Sequence, residues 1–541
     1  MLRESAITCL RLAVLLPTIG LFATLQPVAA QDVFPPNFIS SDVPHDVAGG
    51  PSTDIPTLAT FAWNEFIALN WPAMEPATSG VRGRPDVTAD FLSIKPDSNG
   101  NYPLLVWQTY LHKNEVFPAS GTAPATFDKN VAPSYDYFTK STPASETTSF
   151  TLFNNLDEAS EIGLATMYSH FGTGMGNFRV LYEVKVNRSL FDYLNGPTQS
   201  NSMRANNFTS CPNDGCQTLD TAKTTTTNDL AQFGGICSTN PTIVSLPCGD
   251  AAVAGDDGEG AIEIKAAWRQ LTSDELKSGR FYTRTVIYYT GGSASPIYNN
   301  AVFGLVALHI IHKTKTFPTF VFATFEQVDN YDDATNQNTQ DLAVLNIPPP
   351  SGNPPVTRNH PIHSQIQPIN VAVQNTFKAA DPTTVWQYYK LVGVQAMPVA
   401  GPPMQPADPS PPPAETDPLS YYFLANLMVE TNQTLQNFFG GLGSGNVPAP
   451  KQNVYFNGVS GSPFQMGGCQ GCHGTQGQSV GGDMSVIVAN APFTSNFGPD
   501  PSDADDATLH ALALARLPSL YSSARTQHHS SPPPDRNPLT P

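Results

Sequence analysis

The hydrophobic positions of this chain change their period along its length, and the change divides it. Leu58, Ala62, Phe66 and Leu69 recur at helical spacing, with Asp54 and Pro56 ahead of them as a start signal and Trp71-Pro72 behind them as a stop. The spacing predicts a core helix over residues 57–70 in which Trp63 and Trp71 are packing residues. From about residue 104 to residue 325 the pattern alternates. Residues 104–110 and 178–186 read as strands, and Ile262, Ile264, Ala266 and Trp268 alternate with Glu263, Lys265, Ala267 and Arg269. Such alternation marks a strand with one face buried and one face wet. Residues 281–289 are rich in aromatic and β-branched side chains, and the apolar runs 303–313 and 317–326 are joined by Lys313-Thr314-Lys315-Thr316, which suits a hairpin. The predicted class is α+β: a mostly antiparallel β-sandwich or open barrel with peripheral helices, plus a small helical or loop C-terminal segment.

Past residue 345 the pattern breaks on proline, with Pro348-Pro349-Pro350, Pro354-Pro355 and Pro411-Pro412-Pro413, the composition of stiff extended chain. A short ordered piece is expected at 383–394, and a second helix over 418–439, capped by Asp417, ended by Gly440-Gly441 and lined by Leu424, Leu427, Met428, Leu435 and Phe438. At the other end, Arg3 and Arg11, an apolar run over 12–25 and Val28-Ala29-Ala30 before Gln31 form the pattern of a cleaved secretory signal. The expected organisation is a signal peptide at 1–30, a β-rich domain at 31–345, a proline-rich connecting region at 346–417, a helix and the cysteine-histidine segment that follows it at 418–500, and a flexible tail at 501–541. No later apolar run is long enough to span a bilayer, so the mature chain is expected in the periplasm or secreted.

Charge narrows the partners. With 45 Asp+Glu against 27 Lys+Arg the chain is acidic, which excludes nucleic acid as a partner for want of a basic surface and favours a basic redox protein. Export also explains the cysteines: Cys211, Cys216, Cys237 and Cys248 form an even set in an oxidising compartment, and two disulfides would staple the loop 211–248. Of the three possible pairings, nearest neighbours give Cys211 with Cys216 and Cys237 with Cys248.

The most specific chemistry lies in Met466-Gly467-Gly468-Cys469-Gln470-Gly471-Cys472-His473-Gly474. Cys-x-x-Cys-His is the spacing of c-type haem attachment: one turn brings both thiols to the porphyrin edge, and the next histidine turns its imidazole onto the iron. A thioredoxin-like pair would need a βαβ setting, and a zinc site would need a second pair of ligands; neither surrounds this motif. Cys469, Cys472 and His473 are therefore the expected cofactor-binding residues, with His473 the proximal iron ligand. Met484 is the nearest downstream candidate for the distal position, because eleven residues of extended chain pass round a haem edge. Its alternative is packing beside Val486 and Val488. Met397, Met428, His309, His360 and His363 are candidates from the rest of the chain. His309 and His312 point to opposite faces of one strand and cannot share an ion from it. Asp329, Asp332, Asp333 and Asp341 lack the spacing of an EF-hand and read as a solvated loop.

Phe66-Ile67-Ala68-Leu69-Asn70-Trp71-Pro72, Thr324-Phe325-Glu326-Gln327-Val328-Asp329-Asn330, Leu424-Ala425-Asn426 and the haem motif together make the chain resemble a group of secreted bacterial proteins that look like monohaem c-type cytochromes. The resemblance spans most of the chain and implies one covalent haem c and single-electron transfer; it names no substrate. Two alternatives stay in view: a haem-dependent oxidoreductase of peroxidase, oxygenase or dehydrogenase type, and a ligand-binding β domain with a redox-sensing haem. No triad, nucleotide loop or paired carboxylates mark a catalytic centre.

Overall fold

The computed structural model describes residues 38–50, 53–116, 126–128, 155–156, 168–169, 178–195, 219–228, 235–240, 242–250, 252–253, 258–290, 297–330, 362–396, 405–406, 464–465, 473 and 481–490. The signal segment, Cys211, Cys216, the helix expected at 418–439, Cys469, Cys472 and the tail lie outside these residues.

The first helix, α1 (Ile55–Leu69), begins where the sequence signals it: the Asp54 carboxylate accepts from the Thr57 backbone N–H at 2.9 Å and from its hydroxyl at 2.6 Å. It ends at Asn70, whose side-chain amide turns back to donate to the Phe66 carbonyl at 2.7 Å while its oxygen accepts from Trp107 Nε1 at 3.0 Å. That second bond belongs to the stretch expected to be a strand at 104–110. The stretch is instead a 3-10 turn, Trp107–Thr109, followed by a two-residue strand. Side chains outcompete the ladder here, since Gln108 Oε1 accepts from Leu105 N–H and the Thr109 hydroxyl donates to the Val106 carbonyl.

One open sheet of eight strands forms the centre: β1 (Leu111–His112), β2 (Asn155–Leu156), β3 (Leu181–Val186), β4 (Ile262–Gln270), β5 (Thr283–Thr290), β6 (Ile297–His312), β7 (Val321–Gln327) and β8 (Tyr389–Gln395). It is antiparallel apart from the short β2, which runs parallel to β5. The long β6 organises it. One edge of β6 pairs with β4 along residues 303–312, while its other edge pairs first with β5 and then, from Ala307, with β7. β8 completes that side beyond β7. The class is thus α+β with a non-closed sheet, and the hairpin expected across Lys313–Thr316 is the β6–β7 pair, with His312 opposite Val321.

α1 covers one face. Phe325 of β7 meets Trp63 edge-on at 5.0 Å between centroids and Phe66 at 4.5 Å, and all three are buried. A third layer comes from residues expected to lie in a connecting region: α2 (Ile366–Ala380) packs on α1, and Asn370 ties helix to sheet. Its oxygen accepts from Trp63 Nε1 and from Leu391 N–H, and its amide donates to the Leu391 carbonyl. The correction is physical. Proline excludes helix only past the first turn, and Pro368 sits within it, leaving Ile369, Val373 and Phe377 at helical spacing to be buried.

The opposite face is also covered. Glu263, His309, Thr324, Glu326 and Lys390 are all buried on it, so the alternation in β4 separates apolar from polar rather than dry from wet. All of these elements belong to one compact unit, Ile39–Pro541. No helix among the described residues is long and apolar enough to cross a membrane.

Candidate functional site

The polar face of the sheet places two rows of side chains side by side, each drawn from three strands. Glu263, Ile311 and Phe322 form one row across β4, β6 and β7, and Lys265, His309 and Thr324 form the next. His473 lies against the first: its ring meets Phe322 edge-on, with centroids 5.1 Å apart and planes at 64°. His309 meets the same phenyl ring at 6.2 Å and 86°. Two imidazoles from positions far apart in the chain therefore share one aromatic side chain, and Lys265 of the neighbouring strand lies over Tyr182 at 5.2 Å.

His473 is chemically unusual. The residue as a whole is only partly buried, yet its Nδ1 is closed off from solvent and has no hydrogen-bond partner among the described residues. Burial, reinforced by the positive potential of His309 and Lys265, pushes its pKa down to about 3, against a hydrogen bond with the Met484 backbone that works the other way. The imidazole is thus neutral at any ordinary pH and keeps an unshared pair for a metal. A neutral imidazole with one closed-off, unpartnered nitrogen is compatible with the metal-ligand role that its motif implies. Among the described residues no three His, Cys, Asp or Glu side chains converge as a site for a bare ion.

Residues 481–490 hold this arrangement. They open on a left-handed turn: Gly481, Asp483 and Met484 have φ of 75°, 53° and 70°. Gly481 is required by more than its φ, since a Cβ there would lie 2.6 Å from Thr227 Oγ1 and 2.7 Å from the Lys223 carbonyl, on the helix α3 (Leu219–Asn228). Chain order thus puts α3 between α1 and α2. Asp483 is buried and its carboxylate accepts from Gly235 N–H at 3.1 Å, from Leu246 N–H at 2.6 Å and from the Lys313 ammonium. Lys313 also donates to the Ile236 carbonyl at 2.7 Å. Leu246 lies within the loop that the Cys237–Cys248 disulfide closes, and Gly235 lies two residues before that loop. Ser485 hydrogen-bonds Glu263; burial, with the negative charge of Asp483 nearby, raises that carboxyl to about 7 in spite of the bond. The short helix α4 (Val486–Asn490) follows, and Met484 is itself 4 % exposed.

Of the residues singled out from the sequence, the structure brings together His473, Met484 and His309. It separates His312, which faces α1 and pairs with Glu65, and it places His363 at the start of α2, where its Nδ1 accepts from Gln365 N–H. Cys469, Cys472, Met397, Met428, His360, Asp332, Asp333 and Asp341 lie outside the described residues, and Asp329 is bound by Arg280 at 2.7 Å. The pairing of Cys237 with Cys248 is present as expected. Sequence reasoning passed over Asp483, Lys313 and Glu263. A lysine in a hairpin connection reads as a solvated turn residue, and only its buried neighbours in space mark it otherwise. No protein-family model, curated protein or solved structure matches the chain.

Proposed function

We propose that the protein is an exported, single-haem c-type cytochrome that passes single electrons in the periplasm, with Cys469 and Cys472 holding the macrocycle and His473 as its proximal ligand. One observation supports this beyond the motif: a histidine in the attachment position is kept neutral, with a ring nitrogen that is closed off from solvent and meets no hydrogen-bond partner among the described residues. Leaving such a group without a partner costs about 1–3 kcal/mol, which a bound metal would recover. When bound, the haem supplies a one-electron couple at its iron.

The chain's own residues do the rest. Phe322 fixes the ring plane of His473 from the side, and the Met484 backbone holds it by a hydrogen bond. Lys265 and His309 disfavour added positive charge at the imidazole, which keeps its lone pair available. The sheet beneath is rigid at this point, because β6 is paired on both edges. Rigid support of a first-sphere ligand is what a fixed redox site needs.

The test is to produce the chain with a c-type haem maturation system and record the visible spectrum, oxidised and reduced, with and without carbon monoxide. One covalent haem, low-spin and indifferent to carbon monoxide, is the expected result, lost in Cys469→Ser or Cys472→Ser. Absence of covalent haem overturns the reading. A high-spin spectrum that responds to carbon monoxide would replace electron transfer with peroxide or oxygen chemistry.

A further inference from the structure

We infer that Asp483 is a positioning residue for His473, acting through a carboxylate receptor that the Cys237–Cys248 loop and Lys313 build for it. The inference deepens the haem reading, on which its functional consequence rests, but the geometry stands on the protein alone. Asp483 reaches into the core from the buried turn at 481–485, and it meets three donors there: Gly235 N–H, Leu246 N–H and the Lys313 ammonium. Gly235 and Leu246 each lie two residues ahead of a disulfide cysteine, so the bond between Cys237 and Cys248 sets the spacing of the two amides. Among the described residues Asp483 is the carboxylate that Lys313 meets; its second bond goes to the Ile236 carbonyl, within the same receptor.

The consequence passes along one peptide unit. Asp483 and Met484 are both held in the left-handed region, which costs a non-glycine residue about 1–2 kcal/mol each and persists only where surrounding contacts impose it. The receptor imposes it at Asp483, and Met484, turned by the same bend, presents its backbone to the His473 ring. On the far side Ser485 takes the Glu263 carboxyl on β4, and Val488 N–H donates to the Ser485 hydroxyl at 3.0 Å to start α4. Three consecutive residues, Asp483, Met484 and Ser485, thus link an ion pair at the end of β6 to the orientation of an imidazole over β7. Severing the ion pair leaves a buried charge without its partner and removes the reason for the bend.

The experiment compares the full chain with Asp483→Asn, which keeps an acceptor oxygen but loses the charge, Asp483→Glu as the conservative variant, and Glu65→Gln as a control that breaks a different buried ion pair. Made without haem maturation, each is labelled with diethyl pyrocarbonate, and modification of His473 is read by peptide mass; melting temperature records overall stability. Asp483→Asn is expected to raise the labelling rate of His473 by about tenfold or more, as local opening there becomes easier by at least one decade in population. Asp483→Glu should recover part of the protection, and Glu65→Gln should leave it in place at a comparable loss of melting temperature. Unchanged labelling in Asp483→Asn, or equal exposure of His473 in Glu65→Gln, overturns the inference. Made with maturation, Asp483→Asn should carry a haem spectrum that responds to carbon monoxide where the unaltered chain does not. Exposure of His473 in the first arm with no haem in any variant of the second would uphold the positioning role and sink the haem reading alone.

Discussion

His312 and Glu65 form an ion pair with neither side chain exposed, joining the end of β6 to the middle of α1. The second ring nitrogen of His312 faces the Glu259 carbonyl, an acceptor only, so that nitrogen carries a proton, and Glu65 at the other nitrogen favours the charged ring. Burial opposes that charge, but Glu65 and the Glu259 carbonyl outweigh it and hold the pKa above the ordinary 6.5. A histidine whose pKa is raised on folding stabilises the native state fully below its unfolded value, and that contribution is lost as pH rises through the folded value. Stability should therefore fall on the alkaline side of pH 6.5. Glu65→Gln removes the charge that holds the proton and leaves the imidazolium buried alone, which costs about 3–5 kcal/mol. Urea unfolding across the neutral to alkaline range should show the variant destabilised at its low end, with the slope flattened.

Glu263 works with the opposite consequence for design. Burial lifts its pKa from 4.5 to about 7, so the native state binds a proton that the unfolded chain has already released between those values. Stability contributed by this residue is present below pH 4.5 and declines as pH rises to about 7. Glu263→Gln keeps the oxygen that Ser485 bonds and removes the ionisation. It should be more stable than the unaltered chain above neutrality by about 2–3 kcal/mol and indistinguishable at low pH. Equal midpoints in denaturant at both ends of the range would show that Glu263 is solvated after all.

How much of this was legible in the sequence depended on whether the deciding partner was local. α1 was, because Asp54 caps it three residues from Thr57 and its apolar positions recur within each turn. The β6–β7 hairpin was, because both strands and their turn are contiguous. The burial of the polar face was not: Lys313 and Asp483 are 170 positions apart, and nothing in a Lys-Thr-Lys-Thr connection tells a solvated ammonium from one closed against a carboxylate. α2 hid behind its composition, since prolines around it mask a helix whose own Pro368 is harmless in the first turn. His473 was legible as a motif residue and Met484 as a residue of the same site, but Phe322 as its neighbour was not, since that contact depends on how distant segments meet.

The Cys237–Cys248 disulfide closes a loop of 11 residues in sequence separation and shapes both amides that bind Asp483. Cross-linking a loop of this size is worth about 2–4 kcal/mol. Cys237→Ser, or treatment of the unaltered chain with a dithiol reductant, should lower the melting temperature accordingly. Beyond that global loss, amide hydrogen exchange should accelerate selectively over residues 481–490, whose anchor is bound to this loop. Uniform acceleration through β4 and β6 as well would mean that the disulfide supports the whole unit and not the anchor.

Met484 separates two contributions that a single truncation would confuse. Its side chain is buried at 4 % exposure, and its backbone sits at φ 70°. Met484→Ala deletes the packed side chain without relieving the backbone, and a loss of about 2–5 kcal/mol is expected. Met484→Gly deletes the same atoms but enters the left-handed region freely, recovering about 1 kcal/mol. At an ordinary position glycine is the worse of the two; here it should be the better, so the order of the two melting temperatures reads the strain directly. The haem then separates a packing role from a ligand role. If the sulfur of Met484 fills the sixth position, both variants admit carbon monoxide to the iron equally, whatever their order in stability. If Met484 acts through its backbone alone, the glycine variant, which frees that backbone, perturbs the His473 spectrum more than the alanine variant does.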